Sequence, residues 1–145
     1  MSRATQLMRE FAERLVAFET QTGKAGRPHT PAAFEVCEKL RPHLATLMGK
    51  VGFSALLSRA LALAASEAPA LRAVQVQADG SLGGREEPGT HAELQKVAEG
   101  SVLLLGHLLG LLEAFIGRSL TLRMLRDVWP KLTLDETHFS KDDPS

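Results

Sequence analysis

The sequence predicts an all-α fold, a bundle of four or five helices with one short β-hairpin between the third and fourth helices. Three observations carry that reading. Apolar residues recur every three to four positions along most of the chain. Helix punctuation separates those stretches, chiefly Thr30-Pro31, Thr90 with Glu93, and several glycines. Strict alternation of apolar and polar residues is confined to one short stretch, at Val74 to Ala78.

The first helix is expected over residues 4 to 19. Leu7, Met8, Phe11, Leu15 and Phe18 fall on one side of it, and Arg9 with Glu13 and Glu10 with Arg14 pair four apart on the other. Gly23, Gly26 and Pro28 end the pattern. At Thr30-Pro31 an N-cap hydroxyl is followed by proline at the first helical position, which starts a second helix. Its stripe is Phe34, Cys37, Leu40, Leu44, Leu47, Met48 and Val51. Pro42 lies inside this stretch but faces away from the stripe, so the expectation is a kinked, continuous helix punctuated by Gly49 and Gly52. A third helix follows from Phe53 to about Ser66, burying Phe53, Leu56, Leu57, Ala60, Leu61 and Ala64, and Pro69 closes it.

Between residues 72 and 82 the period changes to two, and Asp79-Gly80 is a strong turn dipeptide, which predicts the hairpin. Thr90 and Glu93 match a capping box and open the fourth helix. Leu94, Val97, Ser101, Leu104, Leu108, Leu111, Phe115, Leu122, Leu125 and Trp129 keep one phase, with Arg118 filling the gap, so this helix is expected to reach Trp129, where Pro130 stops it. A division at Gly117 into two helices is the alternative.

With 145 residues, 44% apolar and 23% charged, the chain is expected to form a single helical domain over 1–130 followed by an acidic, flexible tail over 131–145. Seventeen Lys and Arg balance seventeen Asp and Glu, which argues against nucleic acid as a partner. Cys37 is the only cysteine, so no internal disulfide can form and a cytoplasmic location is expected. The N-terminus lacks the apolar core of a signal peptide, and no uninterrupted apolar run approaches the ~20 residues of a membrane span.

One segment is unusual. From 102 to 116 the helix is apolar almost all the way round, and Gly106, Gly110 and Gly117 fall on nearly the same face. Each helical glycine costs about 1 kcal/mol relative to alanine, and close approach of another helix is the obvious compensation. Gly106, Gly110 and Gly117, with Leu103 and Ala114, are therefore the candidate interface. It packs either inside the bundle or against a homodimer or protein partner, and substituting Gly110 by Leu should disturb it. Glu113 and His107 inside the run disfavour membrane insertion.

Catalytic and metal-binding patterns are not found. The five histidines, His29, His43, His91, His107 and His138, have no ligand spacing, and no cofactor or metal is expected. Cys37, among apolar stripe neighbours, reads as an inert core thiol. Gly49-Lys50-Val51-Gly52 lacks the phosphate-loop pattern, and the cationic loop Lys24-Ala25-Gly26-Arg27-Pro28-His29 reads as a solvated linker. Histidine phosphotransfer domains resemble a His-x-x-Lys-Gly pattern on a bundle helix. Here the chain reads His43-Leu44-Ala45-Thr46-Leu47, departing at both the lysine and the glycine, so phosphotransfer through His43 ranks last. The expected function is a non-enzymatic regulatory, adaptor or assembly module acting through helix packing with itself or a protein partner. The alternative is a small-molecule-binding bundle with a cavity lined by His107, Phe115, Met124 and Trp129.

Overall fold

In the computed structural model, residues 3–22, 32–76, 82–83 and 91–129 are described. Four helices dominate them: α1 (Arg3–Thr22), α2 (Ala32–Glu67), α3 (His91–Ile116) and α4 (Arg118–Val128). A short 3-10 turn, Pro69–Ala73, follows α2.

α3 is the central element and packs against all three other helices. Leu104, Leu105, Leu108, Leu109 and Leu112 are fully buried, and Val102, Leu103 and Leu111 flank them partly buried. This accounts for most of the all-round apolar character of 102 to 116. Burying a leucine stabilises by about 1.5–3 kcal/mol. The row of five therefore outweighs the roughly 1 kcal/mol that each of Gly100, Gly106 and Gly110 costs the helix. α1 contributes Met8, Phe11, Ala12 and Leu15 to the same core. α2 contributes Val36, Cys37, Leu40 and Leu44 from its first half and Phe53, Leu57, Ala60 and Ala64 from its second.

Helix directions follow from three close approaches. Glu67, at the end of α2, meets His107, and the chain leaving it brings Ala68 and Leu71 against Gly100, two turns earlier on α3. α2 therefore runs antiparallel to α3 into this end. Arg9 of α1 lies against Gly106, while Glu13 shares a groove with Lys96, Glu99 and Gly100, so α1 is antiparallel to α3 as well.

Four expectations are corrected. The kink expected at Pro42 is not there, since helical dihedrals continue through it, and the chain breaks at Gly49 (φ 80°, ψ 159°), one of the two glycines expected to punctuate it. The expected stripe fails around it: Leu47, just before the break, is 48% exposed, and Val51 is 84% exposed, because the positive φ at Gly49 re-aims the helix that follows. The continuous helix to Trp129 gives way to the alternative, with Gly117 (φ 93°, ψ 157°) dividing α3 from α4. The hairpin does not stand as an element of the fold. Only Gln75–Val76 and Leu82–Gly83 pair, two residues to a side, too little to hold without the surrounding helices. Its Asp79-Gly80 turn lies outside the described residues, as do Thr30-Pro31, Thr90, the loop 24 to 29 and the tail 131–145.

By length and composition, Ala33–Glu67 and Gln95–Ile116 are each apolar enough to cross a membrane. Both contribute side chains to the core, and less than half of each apolar window is buried in the bundle.

Candidate functional site

Of the residues singled out in the sequence, Leu103, Gly106, Gly110 and Ala114 lie along one side of α3, but their burial differs from one to the next. Gly106 is buried, and a Cβ added to it would stand 3.5 Å from the Cα of Arg9, so the close approach there is made by α1 of the same chain. A Cβ on Gly110 would meet nothing within 4 Å. Gly117 also has open space, and its glycine is required by the backbone instead. Leu103 is half-buried at the edge of a groove, and Ala114 is exposed.

The residues of the alternative site are dispersed. His107 Nε2 lies 2.7 Å from Glu67 Oε2. An ionised carboxylate only accepts, so the ring nitrogen carries the proton and the histidine links α2 to α3. Phe115 is 66% exposed, whereas Met124 and Trp129 are buried in the core. His43 is exposed on α2. Cys37 is buried, and loss of solvent pushes its thiol up to about 12, with Glu38 adding to the shift. The thiolate is therefore absent at neutral pH, which fits an inert core residue. Among the described residues no group of three or more His, Cys, Asp or Glu could hold a metal ion.

Two features were not anticipated. The first is a groove of about 510 Å³ where α1, the segment after α2 and the first half of α3 meet. Its apolar lining includes Pro69, Ala70, Val102 and Leu103, and its charged lining Arg9, Glu13, Glu67, Lys96 and Glu99. These residues come from three distant segments, so no spacing announces them.

The second is a set of exposed apolar side chains at the two bends. Leu47 and Val51 flank Gly49, and Phe115 (66% exposed) and Leu120 (39%) flank Gly117. The second bend is firmly built. Gly117 N–H donates to Glu113 O (2.9 Å), its carbonyl accepts the Thr121 N–H (3.1 Å) and hydroxyl (2.8 Å), and Arg118 Nε donates to the Glu113 carboxylate at 2.5 Å. Bonds of this kind hold the exposed residues in place. The sequence signal was present in each glycine, but it was read as punctuation or as a packing seam.

Comparison with known protein families, with curated proteins and with solved structures finds no match to this chain. The functional reading therefore rests on the geometry.

Proposed function

We propose that this chain is a non-enzymatic interaction module whose docking surface is the pair of apolar bends around Gly49 and Gly117. The exposure of Phe115 and Val51 carries the reading. Single apolar side chains on a surface need no explanation. Here, however, four of the five exposed large apolar side chains among the described residues flank two backbone conformations open in practice only to glycine, Leu63 being the fifth. The glycine face at Gly106 and Gly110 is the weaker candidate interface, since α1 already covers Gly106.

Site-specific photo-crosslinking in the native cell tests this. A photoreactive residue at position 51 or 115 should give adducts, to protein or lipid, that are absent at position 62 on the exposed side of α2. Equal labelling at all three positions, or none, would sink the docking surface.

The second reading, a small-molecule site, is favoured by the groove beside Leu103. Its mixed charged and apolar lining suits a compact amphipathic ligand carrying both signs of charge.

A further inference from the structure

The helix directions bring the two bends toward the same end of the bundle. Because α2 runs antiparallel to α3, its Gly49 end lies toward the C-terminal end of α3, where α4 begins, and α2 does touch α4. The charges there are one-sided. Between Glu38 and Glu67 the chain carries Lys39, Arg41, Lys50 and Arg59 and no acidic residue. Between Glu113 and Asp127 it carries Arg118, Arg123 and Arg126 and again no acidic residue. Arg41 pairs with Glu38 and Arg118 with Glu113, the carboxylate nearest the second bend in sequence, and Lys50 and Arg123 are the exposed cations nearest the two bends in sequence.

Resting on the interaction reading above, we infer that the occupant of this end is an anionic lipid surface, with Val51 and Phe115 entering the headgroup boundary and Lys50 and Arg123 meeting the lipid phosphates. Two arguments select lipid. If two copies met end to end, like charges would face each other, which opposes self-association here. Val51, 84% exposed with Lys50 beside it, offers an apolar tip next to a cation, the pairing that a headgroup boundary accommodates. A bilayer interface takes apolar side chains into the acyl boundary while basic ones stay at the headgroups. The two bent helices then lie against the membrane and do not cross it.

The test is co-sedimentation of the full chain with vesicles of pure phosphatidylcholine and of mixed phosphatidylcholine and phosphatidylglycerol. The wild type should bind the mixed vesicles at low salt and release as salt rises. Each cation near an anionic leaflet is worth roughly fivefold in partitioning, so Lys50→Glu with Arg123→Glu should weaken binding about 25-fold or more. Val51→Asp with Phe115→Asp should abolish it. All four positions are exposed, and circular dichroism should match the wild type. If a double variant unfolds, single Lys50→Glu and the wild-type salt titration decide in its place. No binding to mixed vesicles, or equal binding by wild type and variants, overturns the inference. Protein adducts at positions 51 and 115 without vesicle binding would reject lipid while leaving the interaction module intact. Absence of both would reject the two together.

Discussion

Gly100 and Gly106 on α3 are glycines because of what stands beside them, whereas Gly49 and Gly117 are glycines because of what the backbone does at them. A Cβ on Gly100 would come within 3.0 Å of Ala68 Cβ and Leu71 Cγ, and one on Gly106 would touch the α1 backbone at Arg9. The two bend glycines have nothing within 4 Å of the added atom, yet they adopt almost the same dihedrals, φ 80° and ψ 159° against φ 93° and ψ 157°. The first pair lets neighbouring segments of the chain close onto α3. The second pair turns helices aside, with Val51 and Phe115 uncovered beside the bends. A glycine in an apolar helix thus marks either a contact or a change of direction, with opposite consequences for exposure.

The largest expected effect separates these two roles. Gly117→Ala and Gly49→Ala each fill empty space, yet each should destabilise by about 1–3 kcal/mol, because side chains are strained in that region of φ and ψ. At Gly117 the chain can escape the strain only by straightening α3 into α4, which would pull Leu122, Leu125 and Trp129 from the core. Urea unfolding measures the loss. Unchanged or raised stability at either position would show that the bend is not a fixed feature of the fold.

Gly100→Ala should have a smaller effect of the same sign. Crowding a packed site costs about 1–3 kcal/mol. Against this, alanine gains about 1 kcal/mol of helix propensity, leaving a net loss of roughly 0–2 kcal/mol. Ala68 decides the sign, since its Cβ cannot rotate away as the end of Leu71 can. Urea unfolding should therefore show a modest loss. A clear gain would mean that the turn after α2 shifts freely and that this contact is less tightly packed than Gly100 suggests.

The all-α class was legible because period and punctuation agree over long stretches: Met8, Phe11 and Leu15, or Phe53, Leu57 and Ala60, are buried as their spacing requires. The exposed surface was not legible, for a physical reason. Helical phase is calculated on the assumption that dihedrals stay helical, and Gly49 and Gly117 depart from helical values in the middle of that count. Val51, after Gly49, therefore fell on the expected stripe while standing in solvent, whereas Phe115 precedes its bend and is exposed in the last turn of α3. The groove was hidden differently, since Arg9, Glu67 and Lys96 meet only through tertiary packing. Of the residues proposed from sequence, Leu103 alone borders it.

Gly110 belongs to neither class, and the smallest effect is expected there. It lies inside α3, half-exposed, with helical neighbours and open space where a side chain would go. Nothing in the structure explains glycine at this position. Gly110→Leu should therefore raise stability by up to about 1 kcal/mol through helix propensity and leave the mass seen by light scattering unchanged. This outcome discriminates because the glycine-face interface requires the opposite. If a second copy or a partner helix packs closely on Gly110, a leucine there collides with it, and assembly falls even though the isolated chain is more stable. A more stable variant with lost assembly would return the docking surface from the bends to α3, and Gly110 would then join Gly100 and Gly106 as a glycine held by its neighbour.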